Sequence, residues 1–357
     1  MTHSTLTSDA KLTCLCGSVS LPGTSLKDEK FPIPSSLCHC NPCRYTAGAL
    51  VPAFADLTGP PPADIKAKLE TYQFTEFCAR YFCSTCGSHC FVEHPNKENE
   101  WFCTAGIIEP PPGVKDVVQL TGHTYVSDTG DGGVTSLFLP VTTNGEKEIY
   151  GAKYGTEKIN TWELEELVQE SRKKTLPGTH DTLTAKCHCG GVDLQIKRAD
   201  YGNEPEGVKT FMSKDDPHKY FACFCSCRSC RLSMGFSMCA WMYVALSAVT
   251  ATKTGKPVLF GVEALASGAN EGLNLKHHQS RDDVWRSFCG GCGASVFYWT
   301  NQEYRMNVVD IAVGLLRAQS GSMAREWVRW ADGEVSHDDE GTDQTQVECV
   351  KKHSRIV

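Results

Sequence analysis

Three short cysteine motifs occur in the same order in each half of the chain, and no other feature restricts the possible folds so strongly. The first half reads CLCG (Cys14, Cys16), then CHCNPCR (Cys38, Cys40, Cys43), then RYFCSTCG (Cys83, Cys86). The second half reads CHCG (Cys187, Cys189), CSCRSCR (Cys225, Cys227, Cys230) and RSFCGGCG (Cys289, Cys292). Neighbours agree as well: Arg44 matches Arg231, Gly48 matches Gly235, Arg80 matches Arg286 and Phe91 matches Phe297. Self-similarity of this extent identifies a repeated unit. The second copy carries longer stretches between its motifs, chiefly 199–220 and 252–278. These are expected to be surface loops that shape a pocket beside the second cysteine triad.

Twenty cysteines in 357 residues require disulfides, iron–sulfur clusters or zinc. The polar start MTHSTLTSDAKLTC has no basic segment followed by an apolar core, so a cytosolic, reducing compartment is expected, where disulfides do not persist. Cluster spacings of the C-x2-C-x2-C kind do not occur, which leaves zinc as the best reading. A net charge of −7 argues against a phosphate-backbone partner. No apolar run approaches the ~20 residues of a membrane-spanning helix.

Seven repeated cysteines per half divide as four plus three. A structural zinc closes a tetrahedron with four ligands, and the two Gly-terminated pairs supply them. One set is Cys14, Cys16, Cys83 and Cys86, and its repeat is Cys187, Cys189, Cys289 and Cys292. The compact triples Cys38, Cys40, Cys43 and Cys225, Cys227, Cys230 cannot close a tetrahedron alone. Each either keeps an accessible position or takes a remote fourth ligand, for which Cys223 is the candidate in the second half. His39 lies between two ligands of the first triad, and a solvent-facing or hydrogen-bonding role is expected of it. Cys78, Cys90, Cys103, Cys239 and Cys349 fall outside the pattern and read as core residues or exposed thiols.

Short alternating segments such as HCFVEH and SVFYWT, divided by Gly, Pro and Asp, predict a mainly β protein with few helices. The exception is 160–174, where Trp162, Leu164, Leu167 and Val168 are expected to share a helical face and Asn160 with Glu163 to form a capping box. The stretch TLPGTHDT reads as a linker, dividing the chain into domains 1–178 and 179–357. The acidic stretch 331–348 reads as a solvated or disordered tail.

The succession C-x-C-G, C-H-C-x-x-C-R, C-x-x-C-G resembles the glutathione-dependent formaldehyde-activating enzyme family, which includes centromere protein V. The resemblance covers nearly the whole chain and implies two tandem Mss4-like β domains, each with a structural zinc on its pairs and a catalytic zinc on its triad. Up to four zinc ions per chain are implied, with glutathione as co-substrate. A family histidine opening a late strand is matched by His123 in GHTYVSD, whereas the second copy offers AREWVRW, with Arg325 where that histidine would fall.

The reaction implied by the resemblance is addition of the glutathione thiol to formaldehyde, or the reverse carbon–sulfur cleavage, so the chain is expected to be a carbon–sulfur lyase. Three thiolates overcompensate Zn2+ and favour thiol chemistry over water activation. Arg44 and Arg231 are candidates for a substrate carboxylate, and His123 for proton transfer. The expected partner is a small carbonyl compound or thiol adduct larger than formaldehyde. A pathway lyase or isomerase on a non-glutathione substrate, and a non-catalytic zinc-stabilised binding module, remain open alternatives.

Overall fold

The computed structural model describes residues 5–94, 100–143, 148–174, 181–202, 204–213 and 215–354. Strands dominate, as the alternating segments require. In the first half the antiparallel sheet runs in spatial order Phe54–Asp56, Glu100–Thr104, His89–His94, Cys78–Cys83, Leu69–Thr75. Beside it Ile33–Cys38 pairs in parallel with Val118–Thr124, and Lys11–Thr13 lies between Ser20–Pro22 and Ile108–Glu109 in a small third sheet.

The second half uses the same order in one seven-stranded sheet: Leu275–Arg281, Val284–Cys289, Ser295–Thr300, Val308–Ala312, Cys239–Ala245, Tyr220–Cys225, Val328–Ser336. One side chain accounts for the division in the first half. The Ser35 hydroxyl donates to the Phe54 carbonyl (2.8 Å) and accepts from the Phe54 N–H (3.2 Å), so it stands in for direct ladder bonds. The matching residue is Ala222, which has no such group, and its strand ladders directly onto Cys239–Ala245. The run MCAWMYVA is apolar throughout because its strand sits inside the sheet, with only Tyr243 half-exposed.

The halves share one continuous core and interlock reciprocally. Phe82 and Phe288 meet edge to face at 6.4 Å across the junction. Gly87 lies under the Phe288 ring and Gly293 under Phe82; an added Cβ would come within 2.3 Å and 2.5 Å of the respective rings. The four glycines ending the cysteine pairs, Gly17, Gly87, Gly190 and Gly293, all have φ between 75° and 78°, the left-handed turn that returns the chain after the second thiol.

The predicted helix spans Thr161–Lys173 and begins with the capping box of Asn160 and Glu163. Its inner face is Leu164, Val168 and Ser171; Trp162 is 57% exposed, because it stands two positions ahead of Leu164 and so about 200° round the helix from it. Most of the linker and the boundary near 178 fall in 175–180, outside the described residues, and the linker's last residue, Thr182, already opens strand Thr182–Lys186. The acidic C-terminal stretch is folded, contrary to expectation. Strand Val328–Ser336 joins the sheet and helix Gln344–His353 buries Val347 and Val350. Asp343 accepts from the Val118 N–H at 2.7 Å, tying this segment to the first half. Apolar residues spaced among the acids supply a buried face that the net charge conceals. Among the described residues no helix is long and apolar enough to cross a membrane.

Candidate metal centres and the cavity at the second triad

The fourteen repeated cysteines gather into four clusters: Cys14, Cys16, Cys83, Cys86; Cys187, Cys189, Cys289, Cys292; and the two triads. Within every cluster all sulfurs lie within 4.8 Å of one another. A zinc tetrahedron with Zn–S bonds of about 2.3 Å has sulfur–sulfur edges of about 3.8 Å. The observed separations approach this: Cys14–Cys16 3.5 Å, Cys16–Cys83 3.7 Å, Cys187–Cys289 3.7 Å, and 3.5 Å from Cys38 to both Cys40 and Cys43. The donor sets therefore fit zinc, with four thiols in the paired sites and three in the triads.

Each triad is built by a strand running into a short helix. Ile33–Cys38 delivers the first thiol, and helix Asn41–Ala47 is N-capped by Cys40, whose sulfur accepts from the Cys43 N–H at 3.3 Å. Tyr220–Cys225 and helix Arg228–Met234 repeat this, with Cys227 accepting from the Cys230 N–H at 3.4 Å. The C-x-x-C spacing is thus a helix-cap geometry that turns the third thiol back toward the first two. Gly48 and Gly235, at φ 80° and 77°, end the two helices.

A buried guanidinium faces the third thiol of each triad. Arg80 Nη2 lies 2.9 Å from Cys43 Sγ, and Arg286 lies 3.6 and 3.7 Å from Cys230 Sγ, which also accepts from Trp241 Nε1 at 3.3 Å. Hydrogen bonds from the two sister thiols, helped by the arginine charge, hold Cys43 and Cys230 well below the ordinary thiol range. In the sequence Arg80 and Arg286 stand only as matching landmarks of the repeat, with no role attached to either. Their position on the strand before the C-x-x-C-G pair was the available signal.

Cys223 does not complete the second triad. Its sulfur is 2.9 Å from the Tyr243 hydroxyl and 3.4 Å from that of Ser336, outside the cluster. Cys78, Cys90, Cys103, Cys239 and Cys349 are all buried.

Arg44 and Arg231 do not face the triads. Arg231, 1% exposed, donates to the carbonyls of Gly106 (2.6 Å) and Ile108 (2.9 Å) and pairs with Glu109 at 3.0 Å. Arg44, 3% exposed, donates to Asn41 Oδ1 at 2.6 Å, the Tyr45 hydroxyl at 3.0 Å and the Leu316 carbonyl at 3.5 Å. The arginine after each triad reaches the opposite half of the chain, and the donors a substrate carboxylate would need are taken up by Asn41, Tyr45 and the Leu316 carbonyl at Arg44 and by two carbonyls and Glu109 at Arg231.

His123 is fully buried, with its Nε2 3.0 Å from Thr142 Oγ1 and its Nδ1 3.0 Å from His39 Nε2. Because Thr142 donates its hydroxyl proton to the Phe138 carbonyl, it accepts from His123 Nε2–H, and His123 Nδ1 in turn accepts from His39 Nε2–H. Both rings are thereby fixed as neutral tautomers. Burial lowers His123 to about 3 and holds His39 well below its usual range. His39 is hydrogen-bonded rather than solvent-facing. The strand register also reassigns the second-half match. Leu37 lies opposite His123 and Phe224 opposite Val335, so Val335 occupies the place of His123. Arg325 lies elsewhere, 3.1 Å from the fully buried Asp131. A larger bulge in the second strand hid this alignment from a motif comparison.

A cavity of about 220 Å3 opens onto Cys225, Cys227 and Cys230. Its wall includes Arg286, Tyr243, Tyr298 and the paired Arg305 and Asp310. Burial raises Asp310 to about 6 against the opposing charge of Arg305. The inserted stretches 199–220 and 252–278 do not line it, contrary to expectation; its mouth is formed by Ser280, Arg281, His337 and Glu340.

Residues 9–128 match the model of the family described as glutathione-dependent formaldehyde-activating enzyme. An uncharacterized lyase of Schizosaccharomyces pombe is 27% identical over 96 residues, which are 27% of this chain and 66% of that protein. A solved Rhodobacter sphaeroides protein, 17% identical, aligns over 42% of this chain and 99% of its own with a TM-score of 0.24. The likeness to the glutathione-dependent formaldehyde-activating enzyme family is thus carried by residues 9–128, and the chain spans just under two thirds of the curated relative it matches.

Proposed function

We propose that this chain is a zinc-dependent carbon–sulfur lyase that makes or breaks thiol adducts of carbonyl compounds, in two domains, 1–178 and 179–357. The observation that carries the reading is the triad itself: three converging thiols, a guanidinium on one of them, and at the second triad a cavity ending on the sulfurs. The family match and the lyase name of the S. pombe relative support it.

Cys38, Cys40 and Cys43, and likewise Cys225, Cys227 and Cys230, would each hold a zinc with one coordination position left over. Such a zinc supplies a thiol-binding, carbonyl-polarising centre. The chain's own groups hold that centre in place: Arg80 and Arg286 balance thiolate charge, and the helix caps fix the sulfur positions. In the forward direction a sulfur–carbon bond forms, the carbonyl π bond breaks, and the thiol proton ends on the new hydroxyl oxygen. The reverse returns thiol and carbonyl. Glutathione is the proposed thiol.

The test is zinc content per chain, with 13C NMR of formaldehyde and glutathione in the presence of the protein. Four zinc ions and accelerated exchange between free aldehyde and adduct support the reading. Accelerated exchange that survives Cys40→Ser and Cys227→Ser together rules it out.

A further inference from the structure

The two triads share a backbone plan but not a wall, and the differences concentrate on one side of the second. Ser280 stands at the strand bulge where the first half has Phe74, whose ring lies 4.5 Å from the Arg80 guanidinium. Arg281 replaces Thr75, and the laddered pair Tyr243–Asp310 replaces Asp56–Phe102. Arg281, Arg286 and Arg305 therefore converge on one cavity.

Arg305 is the distinctive member. Tyr243, Tyr298 and Phe211 surround it with ring centroids 5.0–5.2 Å from its guanidinium carbon. It spends Nη2 on both oxygens of Asp310, and its buried Nε, like that of Arg286 on the same wall, has no hydrogen-bond partner among the described residues. A buried cationic donor without a partner calls for an acceptor. A volume of about 220 Å3 is the share of about seven waters, so the enclosed part of a ligand is small.

We propose that the second triad is the substrate-binding one and that its substrate is a small carboxylate-bearing electrophile, or the thiol adduct of one. The carboxylate is read by Arg305 and Arg281, with the reacting carbon toward Cys225, Cys227 and Cys230. Ser280 supplies the room that Phe74 fills in the first half. This rests on the thiol-adduct reading for the chemistry but not for the location or the charge preference.

The test is alkylation of the zinc-loaded full chain by iodoacetate and by neutral iodoacetamide, followed by peptide mass spectrometry. Iodoacetate is expected to label the second triad about tenfold faster than the first, and Arg305→Met to remove that preference while iodoacetamide labelling stays within about twofold. Arg281→Ala, at an exposed position, should reduce the iodoacetate preference without disturbing the buried pair. Ser280→Phe should slow both reagents at the second triad, with zinc content and melting temperature unchanged. Equal iodoacetate labelling of the triads, or a preference that survives both arginine substitutions, overturns the proposal. Glutathione added as a competitor separates the two ideas. A charge-dependent second-triad preference that glutathione leaves unprotected keeps the site and removes the thiol-adduct chemistry.

Discussion

Replacing Gly293 by alanine tests the interlock of the two halves at a single methyl group. Gly293 has φ +78°, and its added Cβ would lie 2.5 Å from Phe82 Cγ and 2.8 Å from Phe82 Cβ. The clash is with the root of the side chain, so rotation of the ring cannot relieve it. Gly17 supplies the control: it ends a C-x-C-G turn at nearly the same backbone angle, φ +77°, and a methyl group added there would meet nothing within 4 Å among the described residues. Gly17→Ala should therefore cost only the left-handed backbone term, about 1–2 kcal/mol. Gly293→Ala adds an overpacking term of about 1–3 kcal/mol, for a total of about 2–5 kcal/mol. Thermal unfolding of zinc-loaded protein, with metal content measured on each variant, reads the difference. Phe82→Ala closes the cycle. On that background Gly293→Ala should fall back to the cost seen at Gly17, since the opposing ring is gone. Equal destabilisation by Gly17→Ala and Gly293→Ala, or a cycle without coupling, would refute the reasoning.

Other outcomes follow from individual contacts. Cys86→Ala should lower zinc by one ion per chain and destabilise the first half, as elemental analysis and limited proteolysis can show, because the remaining three thiols no longer close their site. Arg231→Ala should cost about 2–4 kcal/mol in unfolding free energy, since it strands two buried carbonyls and weakens the hold on Glu109. A variant as stable as the parent but impaired in substrate binding would instead return Arg231 to the site. Burial pushes the Asp343 carboxyl up to about 7 despite the Val118 N–H bond. The folded chain thus holds a proton that the unfolded chain releases near pH 4, and stability falls as pH rises from about 4 to about 7. Asp343→Asn should lose about 3 kcal/mol less than the parent between pH 5 and 8; parallel profiles would contradict the shift. His123→Ala should destabilise by about 2–3 kcal/mol with zinc content intact, because it opens a cavity in the core and removes the acceptor of the His39 N–H and the donor to the Thr142 hydroxyl.

The joining of distant cysteine pairs followed from the four ligands that a closed zinc site needs, and each pair and triad was itself legible in the sequence, because a C-x-C or C-x-x-C interval is spanned by one turn or one helix cap. The Asn160–Glu163 capping box was legible for the same reason. These are decided within a few residues by covalent reach and local hydrogen bonds. Arg44, Arg231 and His123 were not legible in that way. Their partners Leu316, Gly106 and His39 lie far away in the chain, and only packing brought them together. The folded C-terminal segment was masked by its acids, since composition averages over the two faces of an element whereas burial acts on one. The match of His123 to Val335 required the strand register, which a bulge shifts without leaving a motif. The sequence by itself determined where metal can bind. Tertiary structure decided how the cavity at the second triad is walled, because that depends on single positions, Ser280 against Phe74 and Asp310 against Phe102, brought to the thiols by strand pairing rather than by spacing.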